Sequence, residues 1–230
     1  MIYIRRTVKI TAFILGLIAL LLALSIMFIP KNNMKEFGME EVAANGVLGE
    51  KENTIDVIIL GDSEAYSSFS PMQIWRDTGY SVYVCGTSAQ TLNYSLKLLQ
   101  RATEKQNPKI VILETNAIYR EITGLEAIGA KLGNIFSIFD YHDRWKSMKL
   151  KDILTSPDYT WTDDKKGYYF NKGINAANSS NHMSFTEEIE NIPGINVSLV
   201  KNIRDVCERK GAELVLISTP STVNWNYKKH

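Results

Sequence analysis

The stretch Asp56-Val-Ile-Ile-Leu-Gly-Asp-Ser-Glu-Ala-Tyr-Ser-Ser-Phe-Ser70 decides the architecture. Branched apolar residues run from Val57 to Leu60 and stop at Gly61, and two small polar residues, Asp62 and Ser63, follow. So short and uninterrupted an apolar run reads as a parallel strand buried on both faces. The loop leaving the carboxyl end of such a strand is where open α/β sheets keep their chemistry. Ser63 is therefore a candidate nucleophile, held by the sheet and exposed by the loop.

Three more runs of this kind follow, at Tyr80 to Cys85, Lys109 to Glu114 and Glu213 to Ser218. Helical segments separate them. Ser70-Pro71 opens the first, with serine as cap and proline at the first helical position, and Gly79 ends it. Ser88 is expected to cap a second that runs to about Lys105, with Leu92, Leu96, Leu99 and Ala102 at helical spacing. Ser198 is expected to cap a third, whose apolar face is Leu199, Val200, Ile203, Val206 and Cys207 and which ends at Gly211. Strand and helix in alternation predict βαβ units, hence an α/β fold with a parallel sheet and helices on both faces. The α/β domain is expected over 53–230, with an irregular insertion, rich in aromatics, Asn and Ser, over about 120–194.

Ahead of the domain, Arg5, Arg6 and Lys9 precede an uncharged apolar run from Ile10 to Ile29. About twenty such residues span a bilayer as a helix. The basic cluster predicts a cytoplasmic amino terminus and a main domain on the other side of the cell membrane. A cleaved signal peptide, with Ala23-Leu-Ser25 as its site, is the alternative, but the apolar run continues beyond that site and favours an uncleaved anchor. Residues 1–30 thus read as a cytoplasmic tip and transmembrane anchor, and 31–52 as a polar linker with one helical turn near Met39 to Ala44.

Composition narrows the chemistry. The formal net charge is +1 and no basic stripe with interleaved aromatics occurs, which argues against nucleic acid as a partner. His142, His182 and His230 stand far apart, and Cys85 and Cys207 lack Cys-x-x-Cys spacing, so neither metal nor cofactor is expected. Acyl transfer needs a nucleophile, oxyanion donors and a base. The three strand ends at Ser63, Gly86 and Asn116 offer the first two, through backbone N–H groups and the Asn116 amide.

Gly61-Asp-Ser63, Gly86 and Asn116, each closing one of the first three strands, resemble the SGNH (GDSL-type) hydrolase superfamily. The resemblance implies a three-layer α/β/α fold with a flavodoxin-like parallel sheet, Ser63 as nucleophile, and Gly86 and Asn116 in the oxyanion hole. The longer pattern Gly61 to Pro71, with Gly86-Thr-Ser-Ala-Gln90, is similar to a membrane-anchored bacterial branch of envelope O-acyltransferase and esterase proteins. That likeness implies an envelope polysaccharide or other acylated glycan as substrate, and a membrane-bound O-acyltransferase as acyl supplier.

The sequence departs from the family in two places. Its third block reads Glu114-Thr-Asn-Ala117 where the family has Gly-x-Asn-Asp. The Asp-x-x-His pair that supplies the family's base is missing: His230 closes the sequence and Tyr227 stands three before it. The expectation is of a chain truncated at its carboxyl end. His142, flanked by Asp140 and Asp143, is an alternative base if the insertion folds over the carboxyl rim, against its plainer reading as an exposed turn residue. A catalytically silent scaffold or binding module of the same fold is the rival reading. Asp62 is expected to bond its own loop, Gln90 to solvate a helix end rather than contact substrate, and Trp145, Trp161, Tyr168 and Tyr169 to pack rather than stack on sugar.

Overall fold

The computed structural model describes residues 2–171, 173 and 191–220, with side chains from residue 5 onward. The chain divides into two compact units, Met1–Glu40 with Thr123–Tyr159, and Glu41–Ile122 with Thr160–His230. It is an α/β protein in which seven α-helices and a four-stranded parallel sheet are found among the described residues.

In the first unit, α1 (Ile2–Phe28) is one continuous helix, and its stretch Arg5–Phe28 is long and apolar enough to cross a membrane. At 1.5 Å per residue those residues reach about 36 Å, more than a hydrocarbon core of about 30 Å. The last carbonyls of a helix lack intrahelical donors. Here Lys31 Nζ donates to Ile26 O (2.8 Å) and Arg144 Nη1 to Met27 O (2.7 Å). Arg144 also donates to Phe37 O and to Asp152 Oδ2 (2.7 Å), with both side chains buried. Burial, and then the neighbouring Arg144 charge, push the Lys31 ammonium below its ordinary pKa.

The second unit opens with α2 (Val42–Asn45) and a 3-10 turn at Gly46–Gly49. The segment 31–52, expected as a linker, is therefore built into the structure: Met39, Ala44, Val47 and Leu48 are buried. Its carboxyl half is tied to the sheet domain, as Tyr83 Oη donates to Ala43 O (2.8 Å) and Lys105 Nζ to Leu48 O (3.1 Å).

The strand β1 (Val57–Gly61) lies where the apolar run predicts it. A short helix unforeseen in the sequence, α3 (Ser63–Ser68), leaves it at once, capped by Asp62, and α4 (Pro71–Thr78) follows with the expected Ser70 cap. Next come β2 (Val82–Gly86), α5 (Leu92–Lys105) and β3 (Ile110–Glu114). The cap of α5 is Thr91, which accepts from Tyr94 N, and not Ser88. Within the expected insertion, α6 (Gly124–Ile135) belongs to the first unit and carries a complete capping box from Thr123 and Glu126. α7 (Gly194–Lys210) starts after Pro193, four residues ahead of the expected Ser198 cap, whose hydroxyl instead bonds back to Gly194 O. β4 (Glu213–Ile217) closes the series.

The sheet order is β2-β1-β3-β4, all parallel. Since β1 connects to β2 on one side and β2 crosses back to β3 on the other, right-handed crossovers send the intervening helices to opposite faces. Accordingly α3 and α4 cover the face of Val57, Ile59, Val82 and Val84 with Ala65, Phe69 and Ile74, while α5 and α7 pack against each other. The reversal of direction leaves a crevice at the carboxyl ends of β1 and β3.

Asp56 fastens the opposite rim. Its carboxylate accepts from Lys109 Nζ (2.8 Å), Ser81 N (3.0 Å) and Ser81 Oγ (2.8 Å), joining the amino ends of three strands. These donors, Lys109 foremost, hold its carboxyl at about 2. A folded-state value below the unfolded one of about 3.9 gives stability that is present above that value and lost as pH falls through about 2. Because Lys109 is exposed, the screened effect is about 1 kcal/mol. Wild type should lose that much more stability than Asp56→Asn between pH 5 and pH 2 in urea titrations; superimposable acid profiles would show that the pair adds nothing.

Candidate functional site

Ser63 is the first residue of α3 and is exposed at the carboxyl end of β1. Its placement follows from Asp62, whose Oδ1 accepts the Glu64 N–H (3.0 Å) and starts the helix one residue after the strand. Gly86 pairs in register with Gly61 on the neighbouring strand. A Cβ on Gly86 would lie 3.3 Å from both Asp62 O and Tyr66 Cβ, a tight fit that glycine avoids where the two strand ends meet. Asn116 starts the 3-10 turn after β3, and its Nδ2 donates to Asp62 Oδ2 (2.9 Å). The residues expected at Ser63, Gly86 and Asn116 thus converge on one rim, with Asp62 between them.

Asp62 does more than bond its own loop. It is 1% exposed, and the same Oδ2 accepts from Arg120 Nη2 (3.0 Å). Arg120 was not singled out from the sequence, where a lone arginine four residues beyond Asn116 carries no pattern. It also donates through Nη1 to the carbonyls of Ala89 and Gln90, the latter at 3.2 Å. Ala89 has φ 51°, a left-handed conformation that costs an L-residue about 1–2 kcal/mol. Arg120 therefore holds the strained β2–α5 loop against the end of β1. Asn196 at the start of α7 fixes Arg120 in turn, donating to Ile118 O and Arg120 O (both 2.8 Å).

Removing the guanidinium leaves Asp62 with two donors and frees the loop. Arg120→Ala should cost about 2 kcal/mol, below the 3–5 typical of a fully buried pair because Arg120 is partly exposed. Lysine lacks the planar fork and should restore less than half of this, as read from urea midpoints at constant slope.

The remaining neighbours complete the rim. Glu114, buried, takes the Asn116 backbone N–H on both carboxylate oxygens (3.0 Å each). Thr219, just beyond β4, donates to Glu64 Oε2 (3.4 Å), and Thr115 Oγ1 lies 2.6 Å from Ser218 Oγ. Tyr66 meets Tyr169 edge-on at 5.9 Å between ring centroids, and burial, then the charge of Asp62, raise its phenol above the ordinary value. Gln90 does not solvate a helix end. It is buried, and its Nε2 donates to Cys85 O (3.1 Å) and Ser95 Oγ (2.8 Å).

His142 belongs to the unit that holds α1, not to the unit of Ser63. Its side chain is 71% exposed, with Nδ1 3.3 Å from Phe139 O and Nε2 3.8 Å from Asp143 Oδ2. Asp143 is itself engaged at 2.7 Å by Lys146, which lowers its carboxyl. His182 and His230 lie outside the described residues. Of the aromatics, Trp145 and Tyr169 are exposed, while Trp161 and Tyr168 are half-buried. Among the described residues no group of three His, Cys, Asp or Glu could hold a metal ion. No protein-family model and no curated protein matches this chain.

Proposed function

We propose that the chain carries a membrane-anchored serine acyl-transfer domain of the SGNH type, with a flavodoxin-like α/β/α sheet. One observation carries the reading: an exposed serine stands two residues past the end of an inner parallel strand, between Gly86 at the end of one flanking strand and Asn116 after the other. Ser63 Oγ attacks the acyl carbonyl, its proton passing to a base, and the carbonyl oxygen takes up negative charge. The N–H groups of Ser63 and Gly86 and the Asn116 amide are the donors for that oxyanion. Collapse expels the leaving alcohol and leaves an acyl-serine, which water or a sugar hydroxyl then cleaves. The base is a histidine outside the described residues or one supplied elsewhere. The substrate is an acylated envelope glycan, with a membrane-bound O-acyltransferase as acyl supplier. The anchor runs from a cytoplasmic amino terminus to an extracytoplasmic domain.

A second reading, a silent scaffold of the same fold, is favoured by a specific contact. Asn116 spends one amide proton on Asp62, and no histidine stands among the described residues of the Ser63 unit. A fluorophosphonate probe on membranes holding the intact gene product separates the two. Mass mapping should find the adduct on Ser63, whereas a folded protein that stays unlabelled is the scaffold.

A further inference from the structure

Helix α6 of the first unit presents its large apolar residues outward. On α6, Leu125, Ile128, Leu132 and Ile135 recur at helical spacing and are 82%, 57%, 37% and 63% exposed. The face turned into the unit is made of small residues instead: Ala127 and Ala130 are half-buried, and Gly133 is buried where an added Cβ would strike the Asp140 carboxylate. A water-soluble helix is arranged the other way, with its large apolar residues inward. A contiguous exposed apolar stripe marks an interaction surface.

What covers the stripe follows from where α6 is tied. The turn after it, Ser137–Phe139, packs on α1, and Ile138 N donates to Ser25 Oγ (3.4 Å). Arg144, a few residues on, donates to Met27 O (2.7 Å), and α1 ends at Phe28. Hydrogen bonds to the last turn of a membrane-spanning helix fix the depth of their donors: they sit at the membrane–water boundary. With 12 residues α6 is too short to span. Between residues 123 and 159 acidic and basic side chains balance at five each, so attraction to an anionic surface is not what would hold it.

We propose that α6 lies in the membrane interface beside the carboxyl end of α1, its Leu125–Ile128–Leu132–Ile135 stripe in contact with lipid acyl chains. The first unit is then a lipid-seated platform and not an anchor alone. The inference rests on α1 crossing the bilayer and is independent of chemistry at Ser63.

Single cysteines at Ile128, Leu132, Lys131 and mid-span Leu15, each bearing an environment-sensitive fluorophore, test it in the full chain reconstituted in phospholipid nanodiscs. Cys85 and Cys207 are buried, and burial pushes both thiols up, Cys207 to about 11, which keeps them unreactive in the native state. Doxyl-chain lipids should quench Leu15, Ile128 and Leu132 labels at least twofold while iodide does not, with the reverse at Lys131. Iodide quenching at Ile128 and Leu132 with Leu15 still lipid-quenched would overturn the platform alone. Shielding from both quenchers together with energy transfer between labelled chains would assign the stripe to a second copy and overturn the lipid contact. Loss of lipid quenching at Leu15 would overturn the anchor and the platform together.

Discussion

Ser63→Ala should abolish fluorophosphonate labelling and lower any acyl-ester turnover by about a millionfold, while the fold stays as stable as wild type. On the proposed acyl-transfer reading, the size of the chemical effect comes from removing the one atom that would form the acyl-enzyme, as in serine hydrolases whose nucleophile acts as one unit with its base. The absence of a stability effect comes from the local structure. Ser63 is exposed, and α3 is started by the Asp62 carboxylate rather than by the serine hydroxyl. Surface substitutions away from caps and buried networks stay within about 0.5 kcal/mol. The neighbouring Asp62→Ala should do the opposite, because it removes the acceptor of Arg120 Nη2 and Asn116 Nδ2 and deletes the cap. Turnover retained in Ser63→Ala, with an unchanged urea midpoint, would remove Ser63 from the chemistry.

Gly167→Ala carries the largest expected cost in stability. The segment around it covers the outer side of β2: Val84 N donates to Lys166 O (2.9 Å), and Lys166 Nζ pairs with Glu50 (2.7 Å). Gly167 has φ 80°, and an added Cβ would run into the Val84 carbonyl, whose carbon is 2.9 Å away. The conformation alone costs alanine about 1 kcal/mol, and relief of the clash, which requires moving a strand carbonyl, adds about 1–3. A total near 3 kcal/mol is a large part of a domain's usual 5–15 kcal/mol. Chemical denaturation should show the loss, and limited proteolysis should cut between 160 and 170 in the variant only. A cost under about 1 kcal/mol would mean that this segment does not seal the edge of β2 in solution.

How far the candidate site could be read from residues alone depended on the range of the forces. Ser63, Gly86 and Asn116 were legible because each follows an apolar run, and a run ends where its strand ends. Arg120 was not, since its partners Asp62, Ala89 and Gln90 are distant in sequence and no local pattern joins them. Glu114 reads as the last residue of a strand, and only the turn after it shows why a buried carboxylate is tolerated there: the Asn116 N–H needs an acceptor. The capping box Thr123-x-x-Glu126 was a readable signal inside a stretch dominated by its irregular composition. Caps at Ser88 and Ser198 had the right residue type in the wrong place, because Thr91 and Pro193 stand where the packed helices begin.

By itself the sequence determined the four strands, the long apolar amino-terminal helix and the order of strand ends, all of which follow from hydrophobic runs and from glycine, serine and proline at their borders. Tertiary structure alone decided that residues 31–52 are built in, that Asp62 is the hub of the rim, and that α6 turns its large side chains outward. The physical reason is that periodicity records which residues avoid water near one another in the chain. It does not record which buried polar group meets which partner, or whether an apolar face looks into a protein or out of it. Those are settled by distance in space, where one carboxylate gathers Asn116 and Arg120 from a separate strand end.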